Sequence, residues 1–164
     1  MLRTTHGLIK KFAQEHSLEG KVLDIGSLDV NGNVRGYFKD YLGIDMQSGP
    51  NVDKVINAHD IKKEFGEGTF DIVTCFDMLE HDDKFWITIE NIKWVLKKGG
   101  WLIAGAPSIN HPKHNYPFDY YRFTKDSFEK VIFEGMTNVF VEEQVYGDQG
   151  ELRPDQVMGW GQKI

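Results

Sequence analysis

The 164 residues carry 25 Asp and Glu against 19 Lys and Arg, a net charge of −6, with 40% hydrophobic residues, 13% aromatics and one cysteine. That length and apolar content suit one domain with its own core, and exclude disorder, a (β/α)8 barrel of about 250 residues, and a dinucleotide domain joined to a separate substrate domain. The lone Cys75 excludes an internal disulfide, the acidic balance gives no route to a nucleic-acid backbone, and residues 1–20 lack the unbroken apolar run of a signal peptide or membrane span, so a cytoplasmic protein is expected, with neither nucleic acid nor membrane as partner.

Leu8, Ile9 and Phe12 recur at helical spacing and predict a short amphipathic helix over Thr5 to His16. Lys21 to Gly26 reads as a strand running into a tight turn. Tyr41 to Met46 is a second strand, Lys54 to Asn57 a third, and Phe70 to Phe76 a fourth. The fourth has few polar positions, as a strand covered by helices on both faces should. Asp82 and Asp83 then open a helix whose Phe85, Ile89, Ile92 and Leu96 form one apolar stripe. Lys97 and Lys98 are expected in its last turn, with Gly99-Gly100 ending it. Trp101 to Ala106 is a fifth strand, followed by a loop rich in histidine and aromatics from Pro107 to Phe123. Thr124 is placed to cap a helix over Lys125 to Glu134. Thr137 to Tyr146 and Gln156 to Gln162 close the chain as an antiparallel hairpin with Gly150 and Pro154 at its connection.

Strands alternating with helices predict an α/β domain with a mainly parallel sheet. A helical parallel crossover needs about a dozen residues. Only residues 47–53 separate the second and third strands, so a helix is missing there and the helices of this domain are trimmed.

Ligands of open α/β sheets bind at the carboxyl ends of the strands, and four such ends carry distinctive residues. Gly26, in Asp24-Ile25-Gly26-Ser27-Leu28, lets the backbone turn and a ligand approach. The run is neither G-x-G-x-x-G nor a P-loop, so it reads equally as an ordinary strand-to-helix turn. Asp45 lies 19 positions after Gly26, where a carboxylate can accept hydrogen bonds from both ribose hydroxyls; otherwise it is a surface carboxylate in a turn. Asp60 can accept from an adenine amino group with Ile61 against the ring, or serve as an N-cap. Phe76 to His81 can line the reacting end of a ligand or feed the long helix, with Leu79 as a hydrophobic staple.

In this order the motifs resemble the class I S-adenosylmethionine-dependent methyltransferases. Val22-Leu23-Asp24-Ile25-Gly26-Ser27 is similar to the first motif of that family, with its usual G-x-G relaxed. Gly43-Ile44-Asp45 is similar to the second, Asn57-Ala58-His59-Asp60-Ile61 to the third, and Phe70 to Cys75 with Met78-Leu79-Glu80-His81 to the fourth. Leu96 to Leu102 is similar to the family's turn into the fifth strand. The resemblance implies a single-domain, Rossmann-like, doubly wound seven-stranded sheet in the order 3-2-1-4-5-7-6, strand seven antiparallel. Residues 1–19 would form the N-terminal helix and 20–164 a core that binds S-adenosylmethionine. It implies that Gly26 and Ser27 border the methionine part of the cofactor and that Asp24 supports that loop or bonds the cofactor's amino group through water. Asp45 would hold the ribose, Met46 pack on adenine, Asp60 and Ile61 frame its edge, and Phe76 supply backbone near the amino acid moiety. The activity implied is methyl transfer to a small-molecule or glycan acceptor, with a homodimer open. A non-catalytic cofactor-binding or partner module is the alternative.

A general base is needed only if the acceptor must lose a proton. The candidates are His81, His114 and Tyr121, the last two on the loop after strand five. Such groups also serve simply as packing, and Arg122 can pair with Asp119. His111 and His114 lack a third ligand, so no metal is expected there. Cys75, inside a strand, reads as a core residue.

Overall fold

The computed structural model describes residues 2–146 and 153–164. Seven strands form one sheet: β1 (Lys21–Ile25), β2 (Asp40–Asp45), β3 (Lys54–Val55), β4 (Phe70–Phe76), β5 (Leu96–Pro107), β6 (Met136–Tyr146) and β7 (Arg153–Lys163). Their order is β3-β2-β1-β4-β5-β7-β6. The first five run parallel, and β7 is antiparallel to both β5 and β6.

Side chains alternate across a strand, and the two cores follow that alternation. Val22 of β1, Ile72 and Phe76 of β4, Ile103 of β5 and Met158 and Trp160 of β7 meet the apolar stripe Leu8, Ile9 and Phe12 of helix α1 (Leu2–Glu15). The intervening Leu23, Val73, Cys75, Leu102, Ala104 and Val157 face the opposite side. There they pack on helix α3 (Phe85–Val95) and the turn after helix α4 (Lys125–Ser127), through Ile89, Ile92, Phe128 and Ile132. Each such side chain fully withdrawn from water contributes about 1.5–3 kcal/mol. No helix among the described residues is long and apolar enough to cross a membrane.

The helices are as short as the spacing predicts. A 3-10 turn, Arg35–Tyr37, is the only helical element between β1 and β2. Nothing helical lies between β2 and β3, and helix α2 (Ile61–Glu64) has a single turn.

Several boundaries differ from the sequence expectation: α1 starts at Leu2, β3 ends at Val55, and α3 starts at Phe85 with Lys84 at its N-cap, so Asp82 and Asp83 precede the helix and do not open it. Helix α3 stops at Val95, and Leu96 already pairs with Phe70. Lys97 and Lys98 are therefore outside the helix. The next matched pair is Ile72 with Trp101, so residues 97–100 bulge from the ladder with Gly99 at φ +77°. Lys97 Nζ pairs with Asp71 at 2.8 Å, which holds the bulge. The helix expected over Lys125 to Glu134 is one α turn followed by a π turn, Phe128–Ile132. Thr124 does cap it: its side chain accepts from the Ser127 amide, and Ser127 Oγ accepts in return from the Thr124 amide. In the final hairpin Gly150 lies outside the described residues. Pro154 is within β7, opposite Val145, at a register shift that leaves Asp155 unpaired in the ladder.

Candidate functional site

The carboxyl ends of β1 and β4 open into a shallow cleft. Asp24, Gly26, Ser27, Leu28 and Phe76 line it from the sheet side; Thr5 and His6 of α1 and Gly32, Asn33 and Val34 close it. Gly26 has φ +78°, and a Cβ there would lie 2.8 Å from the Met78 side chain. Only glycine fits that turn. The Gly26 and Ser27 amides both donate to the Ile44 carbonyl at 3.0 Å, tying the turn to β2.

Asp24 is nearly inaccessible. Its carboxylate accepts from Thr74 Oγ1 at 2.7 Å and from the Tyr41 hydroxyl. Burial nevertheless pushes its pKa up to about 6, against those two hydrogen bonds and the Arg35 charge. Burial, with the Asp24 charge beside it, raises Tyr41 as well. Ser27 is buried and tied to Asn51: its hydroxyl donates to the Asn51 carbonyl at 3.2 Å, and Asn51 Nδ2 donates back to the Ser27 carbonyl at 2.8 Å.

The remaining expected cofactor residues divide. Asp45 ends β2 and accepts from the Gln47 amide at 2.9 Å and, more weakly, from the Leu28 amide at 3.4 Å. Two bonds leave acceptor positions on a carboxylate that offers about four. Met46 beside it is 64% exposed, a large apolar surface facing solvent. Asp60 stands at the N-cap of α2 but makes no side-chain capping bond; it pairs with Lys63 at 2.5 Å, while Asn57 caps the preceding turn by accepting from the His59 amide. Ile61 corrects the sequence expectation. It is completely buried in the core with Leu23 and Ile44 and offers no surface to a ligand. Cys75 is also fully buried, and burial pushes its thiol well up, away from nucleophilic chemistry.

A second cluster forms where the loop after β5 returns to the sheet. Residues Leu79–His81 make a 3-10 turn after β4. The Glu80 carbonyl accepts from the Tyr120 amide at 2.8 Å, which docks the loop on that turn. His81, His114 and Glu80 come together there: Nε2 of each histidine lies 3.5 Å from Glu80 Oε1. Glu80 raises the His114 pKa above the ordinary imidazole value. Asp77, three residues before Glu80, has φ +48°, and burial together with the Glu80 charge pushes it up to about 7. The loop is pinned by Arg122, whose Nη1 and Nη2 pair with Asp119 at 2.5 and 2.6 Å and whose Nε donates to the His111 carbonyl. Arg122 holds the Asp119 carboxyl far below its usual range.

Tyr121 does not join this cluster as an acid or base. Its hydroxyl donates to the Asp83 carbonyl at 2.9 Å, and its ring packs edge-on against Phe85. The proton and the ring are both committed to holding the loop. His111 likewise turns away to pair with Asp155 at 2.9 Å.

Sequence reasoning missed the outer wall of the cleft. Thr5 precedes Leu8, Ile9 and Phe12 by three, four and seven residues, so it shares their helix face. A small polar residue at one end of an apolar stripe was the available signal. Nothing local marks Asn33 or Val34.

A family model described as a methyltransferase domain matches residues 3–133. The ubiquinone biosynthesis O-methyltransferase of Paraburkholderia xenovorans (strain LB400) is 29% identical over 109 residues, covering 57% of this chain and 47% of that protein. The chain thus spans about half the length of this curated relative. A SAM-dependent methyltransferase from Archaeoglobus fulgidus shares the fold with a TM-score of 0.73 at 13% identity, covering 98% of this chain and 93% of that one. The phosphoethanolamine N-methyltransferase 2 of Haemonchus contortus, in complex with phosphomonomethylethanolamine and S-adenosylhomocysteine, gives a TM-score of 0.70 at 16% identity, covering 99% of this chain and 52% of that one.

Proposed function

The chain belongs to the methyltransferase-domain family, and from that premise we propose that it binds S-adenosylmethionine in the cleft beside Gly26 and transfers the methyl group to a hydroxyl of a small molecule. The cleft at the ends of β1 and β4 carries this reading. Its chemistry suits the cofactor. Gly26 leaves room for close backbone approach. The Asp24 carboxylate, costly to ionise where it is, gains from a cationic neighbour such as the cofactor's ammonium group. Asp45 has acceptor positions left for a vicinal diol, and Met46 has free apolar surface for a flat base.

When bound, the cofactor supplies a methyl whose bond to sulfur breaks as its bond to the acceptor oxygen forms, leaving a neutral thioether. The chain's part is to orient the two reactants and exclude water. Gly26 and Ser27 hold one end of the cofactor, Asp45 the ribose, and Phe76 closes the floor. The proton of the acceptor hydroxyl leaves on the side of Glu80, His81 and His114. A phenolic or enolic small molecule is favoured over a glycan because the loop presents Tyr116, Phe118 and Tyr120 as exposed aromatic surface, and because the curated relative acts in ubiquinone biosynthesis.

Calorimetry with S-adenosylhomocysteine tests the first half. Binding in the micromolar range is expected, and no heat at about 1 mM ligand would sink the proposal. Mass spectrometry of phenolic acceptors incubated with S-adenosylmethionine tests the second. Binding without turnover on any acceptor would favour a non-catalytic module instead.

A further inference from the structure

We propose that Glu80, His81 and His114 bind a divalent transition-metal ion at the carboxyl edge of the sheet. One ligand atom from each lies within 4.8 Å of the others. Glu80 Oε1 stands 3.5 Å from both imidazole Nε2 atoms. Ligands in a tetrahedral site about 2.1 Å from their ion are themselves about 3.4 Å apart, so Glu80 already stands at ligand spacing from each imidazole, and the two imidazoles need to close by at most about 1.4 Å.

Glu80 calls for a cation. Its side chain is wholly buried, and neither carboxylate oxygen accepts a hydrogen bond among the described residues. A buried carboxylate whose partners are two imidazoles at 3.5 Å, beyond good hydrogen-bond length, is costly to hold charged, and a cation among the three would relieve it. The nearby Arg122 does not relieve it by hydrogen bonding, because its donors go to Asp119 and to the carbonyls of His111, Pro112 and Tyr121.

The imidazoles are oriented as ligands. His81 Nδ1 lies 2.5 Å from the Phe118 carbonyl, which can only accept. The proton therefore sits on Nδ1, and in the neutral ring the lone pair is on Nε2, facing Glu80. His114 turns Nδ1 toward the Pro112 carbonyl at 3.5 Å and Asp119 Oδ2 at 3.9 Å, again leaving Nε2 for Glu80. Asp119 is itself fixed by the Arg122 fork and by the His114 amide at 2.8 Å. Metal-binding histidines are held in this way, with the far nitrogen donating to a carbonyl or carboxylate.

Two imidazoles and one carboxylate suit zinc, iron(II), cobalt or manganese rather than calcium. Three protein ligands leave positions open, and His114 is exposed enough to admit an ion and a substrate oxygen. The role of the ion rests on the methyl-transfer reading above: it would take the acceptor oxygen as a further ligand and lower the pKa of that hydroxyl, whose proton passes to solvent. The site itself does not depend on that reading.

The test uses the full chain, stripped with EDTA and dialysed. Co²⁺ and Zn²⁺ are titrated singly by calorimetry, and bound Co²⁺ is followed by its visible absorption. One site of micromolar affinity or tighter is expected, with Glu80→Gln and His114→Gln each weakening it by about tenfold or more and Lys113→Ala leaving it unchanged. Zn²⁺ should raise the melting temperature of the wild type and not that of Glu80→Gln. His114 lies at the loop surface, so His114→Gln keeps the test valid if Glu80→Gln fails to fold. No binding at about 1 mM of either metal, or binding that survives His114→Gln undiminished, overturns the proposal. Metal binding in a protein that shows no affinity for S-adenosylhomocysteine upholds the site and removes the methyl-transfer reading alone.

Discussion

Asp24 should make the protein less stable as pH rises, and its amide variant should reverse this. The folded carboxyl has its pKa raised from 3.8 to about 6, chiefly by burial. Between those values the folded chain keeps a proton that the unfolded chain has released, so the free energy of unfolding falls as pH rises through that window. The difference of about two pKa units is worth roughly 3 kcal/mol, absent below the lower value and complete above the upper one. Asp24→Asn removes the charge and keeps the shape. Its amide oxygen still accepts from Thr74 Oγ1, and its amino group can donate to the Tyr41 hydroxyl oxygen. Two hydrogen bonds to a charged acceptor become weaker neutral ones, which offsets part of the gain. Urea unfolding near pH 8 should therefore show the variant more stable than the wild type by about 1–3 kcal/mol, and the gap should close toward pH 4. The same variant should bind S-adenosylhomocysteine more weakly, since the carboxylate faces the cleft. A variant no more stable than the wild type near pH 8, or a gap that does not change with pH, would refute the argument that burial governs this carboxyl.

Gly26→Ala places a side chain at φ +78° and 2.8 Å from Met78, a strain of about 1–3 kcal/mol. S-adenosylhomocysteine affinity should fall by more than about tenfold; wild-type affinity by calorimetry would exclude the cleft as the cofactor site. Asp45→Asn should cost about 1.5–3 kcal/mol of the same binding, the worth of hydrogen bonds to a charged group, and an unchanged Kd would remove the ribose assignment. Gly159→Ala tests the hairpin, because a Cβ there would meet the Phe140 carbonyl at 2.0 Å and Val141 Cα at 3.0 Å. These are backbone atoms that cannot step aside, so destabilisation of about 2 kcal/mol or more is expected, and an unshifted urea midpoint would contradict the β6–β7 packing.

What could be read without coordinates was whatever local chemistry dictates. The apolar run of β4, the stripe on α1 and the Gly26 turn are short-range patterns, and they placed the parallel strands and the turn after β1. The missing helix between β2 and β3 followed from chain length alone. The α3–β5 boundary did not, because Lys97-Lys98-Gly99-Gly100 suits a helix end, whereas the pairing of Leu96 with Phe70 joins residues 26 apart. Ile61 was assigned to a ligand from its place after β3, yet the core behind the sheet takes it entirely.

The sequence by itself determined the class of fold and the tight turn at Gly26, since each is encoded within a few neighbouring positions. Tertiary structure alone decided which side chains face the cleft and which are spent on packing. It brought Thr5 and His6 over the Gly26 turn, committed Tyr121 to the Asp83 carbonyl, and turned His111 toward Asp155. It also set Glu80 against His114, a pair 34 positions apart joined by the docking of the Tyr120 amide on the Glu80 carbonyl. Burial and charge proximity are sums over distant parts of the chain, which no local pattern records.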